Sequence, residues 1–114
     1  MDQWIEAYAD GWRKIKEAVD GLTEEQLLFR PDEKSWSIKQ VVVHLADTEI
    51  VALERMKRTI AEPEPGIQAF DQDAWAIRLD YQSADLELHL TLFKCLRESF
   101  VPVLRKLTPE DWAR

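Results

Sequence analysis

Few side chains in this sequence are placed to do chemistry: two histidines, His44 and His89, one cysteine, Cys95, and two carboxylates close to the first histidine, Asp47 and Glu49. A neutral imidazole is both a divalent-metal ligand and a general base near neutral pH. His44 lies mid-helix in Val41-Val42-Val43-His44-Leu45-Ala46-Asp47-Thr48-Glu49. At about 100° per residue it falls beside Val41, Thr48 and Val51, on the flank of an apolar stripe formed by Ile38, Val42, Leu45, Ala52 and Met56. It reads either as a metal ligand or as a partly buried histidine satisfied by a hydrogen bond. A metal site needs three or more ligands converging from different elements, and helical spacing alone brings no second histidine here.

Asp47, one turn on, has the reach to orient the imidazole as a hydrogen-bond acceptor. It also shares the most polar face of the helix with Gln40, Glu54 and Arg58, which points to a solvated carboxylate. Glu49 falls in the centre of the apolar stripe. An isolated buried charge costs several kcal/mol, so this carboxylate must be paired, hydrogen-bonded or protonated. A structural ion pair and a functional carboxylate both fit. His89 falls on the core side of the next long helix beside Phe93 and Phe100, where a pair with Glu49 across the bundle is geometrically open. Cys95 has neither histidine near it in sequence and reads as a small packing residue, since reactive thiols need an electropositive neighbourhood. No phosphate-binding loop, nucleophile elbow or paired-histidine zinc helix occurs.

Helices must position these groups. Trp4, Tyr8, Trp12, Ile15, Val19 and Leu22 recur at spacings of three and four, giving a first helix that Gly21 ends. Thr23 and Gln26 have capping-box spacing, so a short helix starts there and stops before Pro31. Ser37 with Gln40 repeats that logic for a helix running to about Ala61, where Glu62-Pro63-Glu64-Pro65-Gly66 breaks it. Val41, Val43, Ile50 and Val51 make this helix apolar nearly all round, so it is central in a bundle or covered by a partner chain. Asp71 caps a short helix through Leu79. Ser83 or Asp85 starts the third long helix, which buries Leu86, Leu90, Phe93, Leu96, Phe100 and Leu104, bends near Pro102 and ends near Leu107.

Thr108 followed by Pro109 is a further helix start, echoing the segment after the first helix. The first copy leads into a long helix; the second is followed by only five residues. The expectation is therefore an all-α, up-and-down bundle in one domain over residues 1–114, with three long helices present and a fourth missing. Such a bundle leaves an apolar groove open, so a homodimer is expected.

The charge of −7, from 22 acidic and 15 basic residues, argues against nucleic-acid or anionic-membrane surfaces. A small neutral or cationic substrate is easier to host. The absence of an apolar run of spanning length and of a signal-peptide layout points to a cytoplasmic protein. One cysteine excludes an internal disulfide.

Ser35-Trp36-Ser37-Ile38, then Val41 through Glu49, then Glu54-Arg55, resemble the DinB/YfiT-like superfamily of metalloenzyme-like bundle proteins. Ile60 through Pro65, Phe70-Asp71-Gln72 and Ala74-Trp75-Ala76 extend the match in the same order. The resemblance implies a four-helix bundle, often dimeric, holding a divalent metal such as nickel or zinc through three histidines. The first corresponds to His44. The other two belong to the fourth helix, and His89 matches neither. It further implies metal-dependent hydrolysis or thiol transfer, for which the metal site in this chain is incomplete. The alternative is a non-catalytic helical homodimer in which His44 is a remnant.

Overall fold

A computed structural model describes residues 2–66 and 68–113. The elements are α1 (Asp2–Val19), α2 (Glu24–Leu28), α3 (Ile38–Ala61), α4 (Gln72–Arg78), a 3-10 turn (Tyr81–Ser83), α5 (Leu86–Arg105) and α6 (Pro109–Trp112). Every described element is helical, and three helices are long, as the periodicity predicts. Their starts are chemically explicit. Thr23, Ser37 and Thr108 each accept a hydrogen bond from the backbone N–H three residues on, while Gln26, Gln40 and Asp111 reach back to the cap. Asp71 and Asp85 cap α4 and α5 by the same side-chain bond. Beyond the C-terminus of α1 the chain turns through Gly21 at φ 83°, a conformation that costs a residue without Cβ little. The 3-10 turn follows Asp80, at φ 52°, and has no signature in the apolar repeat.

The core has three parts. Ile5, Leu53, Phe100 and Leu104 form one apolar cluster, and Val19, Leu27, Val42 and Leu90 form a second. Val43, Ala76 and Tyr81, flanked by Trp36 and Trp75, form a third beneath α4. The first two clusters fix the helix directions. Along α1 the chain passes from the first cluster to the second; along α3 and α5 it passes from the second to the first. So α1 runs antiparallel to both, whereas α3 and α5 run the same way. The connection over residues 62–85 makes that possible, because α4 and the 3-10 turn carry the chain back to the start of α3.

The buried arc of α3 is rotated from the one the sequence suggests. Val42, Val43, Ala46, Glu49 and Leu53 are buried, whereas Ile38 is 42% exposed and Leu45 only partly covered. The cause is that α3 is central: it packs against α5 on one side and against α2, α4 and the 3-10 turn on another. Two sets of neighbours cover an arc between the expected stripe and the face taken as polar. Gln40, assigned to that polar face, is consequently buried, its amide turned back to the Ser37 N–H at 2.8 Å. α5 buries Leu90, Phe93, Phe100 and Leu104 and continues through Pro102 to Arg105.

Candidate functional site

His44 sits half-buried on α3, one turn beyond the buried Gln40. Two neighbours define its ring. Trp36, in the loop before α3, meets it edge-on with centroids 4.9 Å apart and planes at 73°. The Thr48 hydroxyl lies 3.4 Å from Nδ1 and 3.3 Å from Nε2. Both distances are long for O–H···N bonds, so the hydroxyl packs over the imidazole without selecting one tautomer. The ring is held by contact, and both nitrogens retain capacity.

The loop holding Trp36 is built from backbone hydrogen bonds. Asp32 Oδ1 accepts the N–H groups of Lys34 and Ser35, each at 2.8 Å. Those bonds, the one from Lys34 first, keep the Asp32 carboxyl below the usual carboxylate range. Arg30 donates to the carbonyls of Ser35, at 2.7 Å, and Glu33. Ser37, fully buried, then ties the loop to the 3-10 turn by donating to Gln82 Oε1 at 2.5 Å, while Gln82 Nε2 donates to the Leu28 carbonyl at 3.3 Å.

Asp47 is half-buried and bonds Tyr81, not His44. Its Oδ2 accepts the Tyr81 hydroxyl at 2.6 Å, because the 3-10 turn presses Tyr81, 1% exposed, against that side of α3. Burial, and next the bond to Asp47, push the Tyr81 phenol above its ordinary pKa. Trp36 packs edge-on against Tyr81 as well, at 6.4 Å. The sequence reading overlooked Tyr81, which stands in a loop-like stretch with no apolar period to announce it.

Of the two readings of Glu49, the ion pair is what forms. Glu49 is 5% exposed, its Oε1 accepts the Tyr8 hydroxyl at 2.9 Å, and Arg97 Nε lies 3.3 Å away. His89 therefore does not pair with it; His89 Nδ1 donates instead to the Asp85 carbonyl within α5, at 2.8 Å. Arg97 was missed, although a readable signal exists. It stands four residues after Phe93 and three before Phe100, on the core face of α5, where a cation demands a buried anion. Cys95 is exposed and takes no part.

Among the described residues, no group of three or more His, Cys, Asp or Glu side chains is placed to hold a metal ion. His44 is a lone imidazole here. The donor set does not by itself fit a bound divalent ion.

Residues 7–114 match the family model of the DinB superfamily. The chain belongs to the DinB superfamily. Among curated DinB-like relatives, a candidate metal-dependent hydrolase of Oceanobacillus iheyensis is 34% identical over 114 residues, covering all of this chain and 66% of its own length. The candidate metal-dependent hydrolase YfiT of Bacillus subtilis is 33% identical over 113 residues, covering 99% of the chain and 64% of its own. The solved structure of YfiT, described as a four-helix bundle of unusual topology, superposes with a TM-score of 0.92 at 33% identity. It is matched over 99% of this chain and 65% of that one. The chain thus spans about two thirds of the length of these DinB relatives. No described helix is long and apolar enough to cross a membrane.

Proposed function

We propose that the protein serves as the bundle of a metal-dependent hydrolase, with His44 as one ligand of a divalent ion, nickel or zinc, and a small molecule as substrate. The observation carrying this reading is His44 itself. It is half-buried, wedged between Trp36 and Thr48 on the central helix, and no side chain holds either ring nitrogen in a strong bond. A core histidine kept only for packing would be expected to spend a nitrogen on a good hydrogen bond. The names of the relatives, all candidate metal-dependent hydrolases, support the metal. The further ligands come from outside the described residues, and a cytoplasmic setting goes with this reading. Thiol transfer is the finer alternative within the same chemistry.

The test is a nickel and zinc titration of the purified protein followed by calorimetry, with His44→Ala alongside. Metal uptake that disappears in the variant supports the reading, and half an ion per chain would signal two copies of His44 sharing it. Uptake unchanged in His44→Ala removes it. Esters and amides assayed against thiol acceptors then separate hydrolysis from transfer.

A second reading, a non-catalytic helical homodimer, is favoured by exposed apolar side chains on two helices. Val41 and Ile50 on α3 are 43% and 42% exposed, and Leu88 and Val103 on α5 are 63% and 38% exposed. Sedimentation of the wild type against Val41→Glu and Leu88→Glu tests it: a monomeric wild type ends this reading.

A further inference from the structure

The last third of α3, about 17 Å along the helix axis from His44, borders a cleft that the metal reading does not use. The cleft has a volume of about 200 Å³ and opens between α1, α3, α5 and α6. Its floor is the buried pair Phe100 and Leu104, its wall Met56 and Ile60, and its rim the indoles of Trp4 and Trp112, which meet edge-on. An apolar cavity of roughly 150 Å³ is enough to admit benzene, so this one suits a single ring or a short hydrocarbon chain.

One cation reaches this hydrocarbon. Arg55 lines the cleft beside Met56, half-buried, and its guanidinium is only partly satisfied. Nη2 donates to the Gln68 carbonyl at 2.7 Å, whereas Nε is shut off from solvent and has no acceptor. Among the described residues no carboxylate pairs with Arg55, although Arg58, one turn on, takes both Glu54 and Glu62. The other polar groups of the cleft are turned elsewhere: the Thr59 hydroxyl donates to the Arg55 carbonyl at 2.8 Å, and Asp111 accepts the Thr108 N–H at 3.0 Å as part of the α6 cap. A guanidinium keeps its charge at any ordinary pH, and its strongest partner is a carboxylate. The cleft therefore combines an apolar volume of one ring with a cation that lacks a counterion. A second negative charge on a ligand would face Asp111 and a chain of net charge −7, which restricts the fit to singly charged acids.

We propose that this cleft is a binding site for a small apolar monocarboxylate, with its hydrocarbon end among Met56, Ile60 and Phe100 and its carboxylate on Arg55. The site is separate from His44 and needs no metal. A neutral ligand of the same shape leaves the guanidinium without its counterion, and an amine sets like charge against it, so charge selects among ligands that the apolar walls alone would accept.

The test titrates the purified, metal-free chain with benzoate, and with benzyl alcohol as its uncharged counterpart, by calorimetry and NMR. Benzoate should bind saturably, one per chain, and move the indole N–H resonances of Trp4 and Trp112 while those of Trp36 and Trp75 stay in place. Arg55→Gln should weaken benzoate about tenfold or more and leave benzyl alcohol within about threefold. Ile60→Trp, which fills the cleft from its wall with Arg55 intact, should abolish benzoate binding, and His44→Ala should leave it unchanged. Circular dichroism checks helix content in each variant, and the wild-type resonances decide the matter even where a variant does not fold. Saturable binding that is absent in the wild type, unchanged in Arg55→Gln or lost in His44→Ala overturns the proposal. So do shifts confined to Trp36 and Trp75, which would place the acid near His44. Trp4 and Trp112 resonances that move with protein concentration and not with benzoate also overturn it, since a second copy would then fill the cleft.

Discussion

At the residue scale, the site depends on how few bonds hold His44 and how many hold its neighbours. Trp36 is fixed by a loop whose Asp32 and Arg30 satisfy its backbone, and the imidazole leans on that indole. Trp36→Ala is therefore expected to leave helix content unchanged while freeing the His44 ring, read as a larger spread of its side-chain conformations and altered ring-proton resonances in NMR. The Tyr81–Asp47 bond behaves oppositely. It is short, backed by a buried ring, and loses its partner if either side changes. Tyr81→Phe and Asp47→Asn should each cost about 1–3 kcal/mol, with a combined loss well short of the sum in a denaturant double-mutant cycle. Full additivity would show that the contact carries no coupling. At this scale the sequence shows its limits. The choice of His44 follows from its place on a helix flank, and the central position of Glu49 marks it as needing a partner. The partner itself lies 48 positions away in Arg97, and the ligand of Asp47 lies in a 3-10 turn that no periodicity marks. Pairings made across the fold are set by tertiary placement, which local spacing does not encode.

At the element scale, helix starts are the most legible feature, since a cap needs only a hydroxyl or carboxylate and a backbone N–H three residues on. Ser37 and Asp71 begin α3 and α4 as the spacing indicates, and α3 ends at Ala61 before the proline run. What spacing could not supply was the rotation of α3, because a helix with neighbours on two sides has a buried arc set by where those neighbours lie. The caps differ in worth. Ser37 is fully buried and bonds both Gln40 and Gln82, whereas Thr23 is exposed and serves only its own helix. Ser37→Ala should cost about 2 kcal/mol, and Thr23→Ala nearer 0.5 kcal/mol, in urea unfolding. Equal losses would mean that the bond to Gln82 adds nothing. Gly11 gives a sharper check on the α1/α5 contact. Alanine in a helix ordinarily stabilises relative to glycine by about 0.5–1 kcal/mol. Gly11→Ala should show that gain in an Arg97→Met background and lose it in the wild type, where the added methyl meets the guanidinium.

For the whole molecule, two phenols packed against carboxylates, Tyr81 buried and Tyr8 half-buried, are expected to lower stability at alkaline pH. Both Tyr8 and Tyr81 have pKa values raised by burial first and by a bond to Glu49 or Asp47 second. The folded state thus holds these protons more tightly than the unfolded chain, whose tyrosines titrate near 10. Their contribution is fully present below about pH 10 and is lost as pH rises toward the folded values, since only the unfolded form gains by ionising. Thermal melts should show Tm falling steeply above about pH 10, and the fall should be shallower in Tyr8→Phe and Tyr81→Phe. A slope unchanged in both variants would assign the alkaline loss to other groups. The ring of Tyr8 makes contacts beyond those of its hydroxyl. Trp4 stacks on Tyr8 with centroids 5.5 Å apart, and Trp112 of α6 meets Trp4 edge-on at 5.7 Å. An unbroken run of aromatic rings therefore joins the last short helix to the middle of the bundle. Two indoles that close couple their electronic transitions, so the molecule carries its own optical gauge: a near-ultraviolet dichroic signal that reads whether α6 is seated, without any label.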